Sequence, residues 1–126
     1  ASSIQKLGDE QKGHDVLVVA AQFGIRHRGR TVRRARFVMG DNEFGLGAFE
    51  VAIMLLTHLN RLTDYNDLWL DCGGDEYAPE ADGVFSGAPC FHFNVGDIIF
   101  DTRPVDCLRE YYGSVSAFAA SAALSE

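Results

Sequence analysis

Residues 44–62, FGLGAFEVAIMLLTHLNRL, include an unbroken apolar run at 51–56 and predict the central helix of the chain. Asp41 or Asn42 can accept hydrogen bonds from the free N–H groups of the first helical turn. Apolar side chains cover most of the helix circumference and leave a narrow polar stripe, so one sheet face covers only part of them. We therefore expect a helix enclosed on most sides, partly by a second helix or by a second copy of the chain. Its apolar run, residues 51–56, is far shorter than the roughly 20 residues that span a bilayer, so no membrane contact is expected.

The segments on either side of this helix predict short antiparallel strands. Residues 15–23 carry apolar side chains on both faces, as an interior strand does. Residues 24–30, GIRHRGR, predict a basic hairpin loop, and the alternation in residues 31–39 predicts the returning strand. Further along, the patterns predict a strand at 67–72, a long acidic loop at 73–89, a hairpin of residues 90–93 and 97–101, and short helices at 104–112 and 115–124.

These elements define an α+β fold in the order ββα-βββ-αα. We expect an antiparallel sheet of four to five strands packed around one central helix, with the two short C-terminal helices closing one side. A chain of 126 residues suits one domain with a core of its own. We expect residues 1–14 to form a flexible lead-in and residues 15–126 to form the domain.

The cysteines and the N-terminal residues predict a cytoplasmic protein. The chain has three cysteines, an odd number with no close pair, which is typical of a reducing compartment. Residues 1–15 are polar and lack the apolar segment of a signal peptide.

Charge is distributed unevenly along the chain. Residues 1–36 contain eight Lys and Arg against three acidic residues, whereas residues 37–126 contain three Arg against fifteen acidic residues. Such an asymmetry bears on the choice of partner rather than on the fold. Aromatic side chains also indicate an interface, because Trp, Tyr and Arg are enriched in protein interfaces. We expect Trp69, Tyr77, Tyr111 and Tyr112 to be exposed. The candidate partner-binding residues are Arg26, Arg28, Arg30, Arg33, Arg34, Arg36, Trp69, Asp75, Glu76, Tyr77, Glu80 and Asp82.

These patterns favour a non-enzymatic protein-binding or inhibitor-type function. The acidic loop, the arginine hairpin or both would engage a protein partner of opposite charge, which mainly raises the association rate and the specificity. Self-association as a homodimer is also expected, because the central helix needs more cover than one small sheet provides. No catalytic residue, metal or cofactor is expected.

Cys72, Cys90, His92 and Cys107 are the residues that a zinc ion or a catalytic thiol would use. Structural zinc sites usually have closely spaced ligand pairs, and here only Cys90 and His92 are close. These two would share a strand face, as a nucleophile and its base do, but no neighbouring residue in the sequence orients the histidine. Free cysteines are among the most buried residues, so buried thiols are the favoured interpretation.

Residues 40–47, GDNEFGLG, follow a predicted strand and open a helix, which is where phosphate-binding loops lie. The spacing Asn42-x-x-Gly45-x-Gly47 resembles the pyrophosphate loop of GNAT-type acetyltransferases. This resemblance covers six residues and implies a small-ligand enzyme of the acyl-CoA transferase type as an alternative function. The acidic Asp41 and Glu43 would repel a pyrophosphate, so an acidic helix cap with close helix–sheet packing is the other interpretation.

The charged segments allow two further interpretations. The acidic residues Asp71, Asp75, Glu76, Glu80 and Asp82 would suit calcium, but their spacing does not match a calcium-binding loop, which favours a solvated acidic loop. The basic hairpin would follow the phosphates of a nucleic acid. The acidic remainder of the chain opposes such an approach, so nucleic-acid binding is the less favoured alternative.

Overall fold

The computed structural model describes residues 19–64, 66–78 and 83–119. In these residues the chain forms an α+β structure with one three-stranded sheet and one four-stranded sheet. The strands are β1 (Ala20–Gln22), β2 (Glu43–Gly45), β3 (Trp69–Asp71), β4 (Gly87–Asn94), β5 (Asp97–Pro104), β6 (Tyr112–Ser114) and β7 (Ser116–Phe118). The helices are a 3₁₀ turn (Ile25–His27), α1 (Val32–Val38) and α2 (Ala48–Thr57).

The β4–β5 hairpin confirms the predicted hairpin and extends it at both ends. Cys90 pairs with Asp101, and the ladder continues from Gly87 to the turn. Cys90 and His92 are buried on one face of β4, because alternate side chains of a strand point to opposite faces. The turn places Val95 at φ 49° and Gly96 at φ 85°, and two positive φ angles match the right-handed twist of the strands that they join.

One of the two sheets is mixed, so the predicted antiparallel sheet is only partly correct. β1, β7 and β2 form an antiparallel sheet, with β7 in the middle. The second sheet has the order β5-β4-β3-β6, in which β3 and β6 run parallel. The prediction missed the parallel pair because it assigned the C-terminal segments to helices.

Residues 32–38 form α1, so the prediction of a strand over residues 31–39 is wrong. The hydroxyl of Thr31 accepts a hydrogen bond from the N–H of Arg34 at 3.0 Å, which caps the first turn. Val32 and Ala35 are fully buried and lie three residues apart, which is helical spacing, and Val32 packs with Ala88 and Val105. The preceding residues also differ from the prediction, because they form the 3₁₀ turn instead of a hairpin loop.

Residues 104–112 are not helical, so the first predicted C-terminal helix is wrong, and the second, 115–124, is wrong over its described part, residues 115–119. The chain instead enters β6, passes Val115 and continues as β7 in the other sheet. The N–H of Val115 donates to the carbonyl of Asp71 at 3.0 Å, and its carbonyl accepts from Leu46 at 3.0 Å. Small side chains let neighbours approach this segment from both sides, and Ser116 and Ala117 are fully buried. Residues 120–124 lie outside the described residues, as do residues 1–14.

α2 is shorter than the predicted helix 44–62 and less enclosed. Residues 43–45 pair with β7 as a strand, so the helix begins only at Ala48. Gly47 occupies the N-cap position in place of the predicted Asp41 or Asn42. Within α2, Val51 and Leu55 are buried in the core, while other apolar side chains are exposed. The predicted enclosure on most sides is therefore not confirmed. No helix of the described residues is long and apolar enough to cross a membrane.

A buried ion pair joins β3 to β5 across β4. The carboxylate of Asp71 accepts two hydrogen bonds from Arg103, from Nε at 2.7 Å and from Nη2 at 2.6 Å, and both side chains are buried. Burial raises the pKa of Asp71, and the two hydrogen bonds from Arg103 oppose that rise. The Arg103 guanidinium also lies over the Tyr112 ring, 4.0 Å from its centroid, so the pair links β6 as well.

Removal of Arg103 should strongly destabilise the fold. In Arg103→Met, the carboxylate of Asp71 is left buried without its partner, and we expect the free energy of unfolding to fall by about 3–5 kcal/mol. The double variant Asp71→Leu with Arg103→Met has no unpaired charge and should recover much of that loss. Chemical denaturation followed by circular dichroism measures both.

The exposed Arg109 provides the matched control for this experiment. Arg109→Met should change the free energy of unfolding by no more than about 0.5 kcal/mol. An equally small change in Arg103→Met would show that the pair does not hold the sheet together.

Candidate binding surfaces

The arginines of residues 26–36 lie around the 3₁₀ turn and α1, and half of them are paired within the chain. Their partners are acidic side chains from distant parts of the sequence. The ion pairs are Arg26–Glu43 at 3.2 Å, Arg33–Asp106 at 3.5 Å and Arg36–Glu76 at 2.6 Å. A partner of opposite charge would have to compete with these internal acids for the same guanidinium groups.

The other three arginines also contact the chain itself. Arg28 donates from Nε to the carbonyl of Glu110 at 3.1 Å, and Arg30 donates from Nη1 to the ring of His27 at 2.8 Å. Arg34 lies over the Phe37 ring, 5.3 Å from its centroid. Instead of the predicted continuous basic hairpin, the structure has separate guanidinium groups with local partners.

The described acidic residues of the 73–89 loop also have internal roles. Asp75 accepts a hydrogen bond from the N–H of Ala48 through Oδ2 at 2.8 Å, so it caps α2. Glu76 forms the ion pair with Arg36, which joins the basic and acidic segments to each other. Glu80 and Asp82 lie outside the described residues. Tyr77, which was expected to be exposed, is half-buried and pairs with Gly87 in an isolated β-bridge.

The glycines that resemble a pyrophosphate loop are in close contact with the protein itself. A Cβ atom on Gly45 would lie 3.0 Å from the backbone of Gly73 and Gly74, and one on Gly47 would lie 2.6 Å from a carboxylate oxygen of Asp75. A carboxylate of the chain therefore takes the place that a pyrophosphate would need at the N-terminus of α2. Close packing between backbones accounts for these glycines without a ligand.

A buried polar cluster connects β2, β7 and the 3₁₀ turn, and the sequence patterns did not reveal it. Glu43 accepts a hydrogen bond through Oε2 from Ser116 at 2.7 Å, and the same oxygen lies 2.6 Å from Nε2 of His27. Nδ1 of His27 lies 2.8 Å from the Arg30 guanidinium, which can only donate, so Nδ1 accepts and Nε2 carries the proton that it donates to Glu43. Burial raises the pKa of Glu43, but the hydrogen bonds from Ser116, His27 and Arg26 together lower it below its ordinary value.

This cluster is arranged for structure and not for nucleophilic catalysis. A catalytic serine needs a base that accepts its proton, but Ser116 donates to a carboxylate that is already bonded to His27. Both ring nitrogens of His27 are likewise engaged. The Glu43 carboxylate therefore serves as the shared acceptor that holds the 3₁₀ turn against the three-stranded sheet.

The cysteines confirm buried thiols at two of three positions. Cys72 and Cys90 are buried and Cys107 is half-exposed, and all three are free. Burial raises the pKa of Cys90 to about 12 and that of Cys72 further, so both remain protonated thiols at neutral pH. In the described part of the chain, no three His, Cys, Asp or Glu side chains come together in a way that would hold a metal ion.

Trp69 lies at the centre of a stack of aromatic rings. The Trp69 ring stacks on the ring of His92, with centroids 3.6 Å apart and planes 5° apart. The ring of Tyr112 also stacks on Trp69, with centroids 4.7 Å apart. Tyr112 is buried, which corrects its predicted exposure, while Tyr111 is exposed and meets Trp69 edge to face at 5.7 Å. The ring nitrogens of His92 make no hydrogen bond with the described residues, and Nε2 lies 3.7 Å from Asp101.

An open cleft of about 310 Å³ lies beside this stack and is lined by Arg28, Asn66, Trp69 and Tyr111. We call it the aromatic cleft. It brings together two of the predicted partner-binding residues, Arg28 and Trp69, with Tyr111, which was also expected at an interface. Asn66 was not predicted, because a single polar residue in a turn carries no pattern.

The exposed side of α2 forms a second surface. Phe49, Ile53 and Leu56 have 74%, 46% and 68% of their surfaces exposed, and Leu59 just beyond the helix is also exposed. Their spacing of four and three residues places the first three on one side of the helix. We call these four residues the apolar face of α2. Exposed side chains in such a contiguous row are typical of an interaction site.

Comparison of the chain with protein-family models, curated proteins and solved structures finds no match. The function of the chain is therefore inferred from the two surfaces and from the internal pairing of the charged side chains.

Substitution of Glu43 should make the free energy of unfolding less dependent on pH in the acidic range. Glu43→Gln replaces a carboxylate that accepts from charged and hydroxyl donors, and the free energy of unfolding should fall by about 1.5–3 kcal/mol at neutral pH. In the unaltered chain the carboxylate, whose pKa is lowered, stabilises fully above its ordinary pKa of 4.5. That contribution is lost as the pH falls through the lowered value.

The difference in stability between the two chains should therefore shrink once the pH is below 4.5. Urea denaturation at a series of pH values measures it. The exposed Glu110 provides the control, since Glu110→Gln should leave the curve of the unaltered chain nearly unchanged. A constant difference at every pH would contradict the role assigned to the Glu43 carboxylate.

Proposed function

We propose that the chain is a non-enzymatic protein-binding domain whose contact surface is the apolar face of α2, and that a second copy of the chain occupies it. The observation that carries this proposal is the exposure of Phe49, Ile53 and Leu56 on a helix whose other edge, at Val51 and Leu55, is buried in the core. Each such side chain gains about 1.5–3 kcal/mol when it is fully buried, so the row is a large source of binding energy.

The charge on α2 supports a second copy over a charged partner. Glu50 is its single charged residue, and Oε1 of Glu50 accepts a hydrogen bond from the N–H of Gly47 at 3.2 Å. Two chains with a net charge of −7 repel each other least where their contact surfaces are uncharged. A partner selected by opposite charge would find little on this face to pair with.

Symmetry also favours self-association. A twofold axis brings the same patch of two identical chains together, so the patch must fit itself. A helix with a row of Phe, Ile and Leu meets that requirement, because apolar side chains of one copy fill the gaps between those of the other. The predicted homodimer is therefore kept as a proposal, and the apolar face replaces the charged segments as its proposed contact surface.

The two alternative functions have weaker support. Nucleic-acid binding needs guanidinium groups free to reach phosphates, and three of the six arginines are paired with acids of the chain. An acyl-CoA transferase would place its pyrophosphate where the carboxylate of Asp75 caps α2. The three free thiols are in keeping with the proposed cytoplasmic location.

The mass of the chain in solution tests the proposal. We expect light scattering coupled to size exclusion to give a dimer for the unaltered chain at micromolar concentration. Ile53→Glu with Leu56→Glu would bury two charges in the contact, so this variant should be monomeric, with its dissociation constant raised at least about a hundredfold.

Phe37→Glu is the matched control, because Phe37 is 79% exposed but lies on α1. It should leave the dimer intact. Circular dichroism confirms that each variant is folded. A monomeric unaltered chain at high micromolar concentration, or a dimer that survives both α2 substitutions, would overturn the proposal.

A further inference from the structure

We infer that the aromatic cleft binds a small aromatic monocarboxylate. This inference does not rest on the proposed dimer, because none of its lining residues belongs to α2. Its starting observation is the meeting of one guanidinium group, two aromatic rings and one amide in a cleft of about 310 Å³.

Hydrogen bonds of the backbone fix the walls of the cleft relative to one another. The N–H of Trp69 donates to the carbonyl of Tyr111 at 2.8 Å, and the N–H of Gly29, next to Arg28, donates to Tyr112 at 2.9 Å. Asn66 is held by a bond from its N–H to the Asp64 carboxylate at 2.8 Å. A cleft whose walls are fixed in advance loses little entropy when it binds a ligand.

The aromatic wall is rigid for a second reason. Trp69 is packed between two other rings, His92 at 3.6 Å and Tyr112 at 4.7 Å, and the Arg103 guanidinium lies on Tyr112. Tyr111, in contrast, is 46% exposed and so offers part of its ring to a ligand. An aromatic ligand would pack against Tyr111 and against the edge of Trp69, because aromatic pairs favour offset and edge-to-face contacts.

Arg28 determines the charge of the ligand. Within the described residues its side chain makes a single hydrogen bond, from Nε to the carbonyl of Glu110, and its two terminal nitrogens remain as donors. A guanidinium group binds a carboxylate through two parallel hydrogen bonds. Asp67 follows Asn66 in the sequence and Glu110 precedes Tyr111, and both are acidic. A ligand with one negative charge therefore suits the cleft better than a ligand with two.

The volume sets the size of the ligand. Small-ligand clefts in proteins have volumes of about 300–1,000 Å³, so a cleft of about 310 Å³ suits a ligand at the small end of that range. A single aromatic ring with a carboxylate has this size. Asn66, whose side chain both donates and accepts, would contact a polar substituent on the ring.

Phenylacetate is the probe that tests this inference. Trp69 is the single tryptophan of the chain, so a change in tryptophan fluorescence on titration reports directly from the cleft. Calorimetry provides a second reading that does not depend on the fluorophore. We expect saturable binding with one site per chain at millimolar or lower concentration, and at least about tenfold weaker binding of phenethyl alcohol, which keeps the ring but lacks the charge.

Arg28→Gln should lower the affinity for phenylacetate at least about tenfold, whereas Arg34→Gln, an exposed arginine on α1, should leave it unchanged. The comparison of phenylacetate with phenethyl alcohol on the unaltered chain tests the same charge without any substitution, so it stands even if a variant fails to fold. Absence of saturable binding in both measurements, equal affinity for the alcohol, or tighter binding of phenyl phosphate would overturn the inference.

The test separates this site from the proposed dimer. The variant Ile53→Glu with Leu56→Glu should bind phenylacetate as the unaltered chain does, and Arg28→Gln should keep the mass of the unaltered chain. Loss of phenylacetate binding in the α2 variant, with the fold retained, would contradict a site that is independent of that helix.

Discussion

The segment from β6 to β7 is the constraint on which the rest of the structure depends. It pairs with β3 in one sheet, passes Val115, and then becomes the middle strand of the other sheet. Val115 is fully buried and bonds to Asp71 on one side and to Leu46 on the other. Because a single short run serves both sheets, the two sheets share one core, and a change in its register would move both.

Small residues make this double role feasible. A Cβ atom on Gly113 would lie 2.1 Å from the carbonyl oxygen of Gly24, so neither a side chain nor a shift of the strand fits there. The two buried carboxylates lie on either side of the segment. Asp71 is bound by Arg103 in the four-stranded sheet, and Glu43 is bound by Ser116 of β7 itself. Each sheet is therefore held to the adjacent elements by a hydrogen-bonded carboxylate, because a buried carboxylate without a partner would be costly.

Internal use of charge shapes what the surface has left for binding. The arginines and acidic residues that the sequence predicts as partner-binding are partly paired with each other, as Arg36 is with Glu76. The described surface instead presents the apolar face of α2 and the aromatic cleft, which has one arginine beside aromatic rings. The first suits broad apolar contact and the second suits a small anion, so we propose a different kind of partner for each surface.

The sequence by itself determined the elements whose partners lie close along the chain. Alternation and Gly96 predicted the β4–β5 hairpin, and the apolar run predicted α2. The residue types of Arg28, Trp69 and Tyr111 predicted an interface, which stays a prediction. Only the tertiary structure decided the rest. Residues 31–39 and 115–119 carry patterns that suit either a helix or a strand, and contacts with distant segments select between the two. Val105 and Ala88 pack near α1, and β1 and β2 pair with β7 on its two sides. The apolar pattern of α2 likewise did not reveal which of its sides would face the core, because that depends on contacts far apart in sequence.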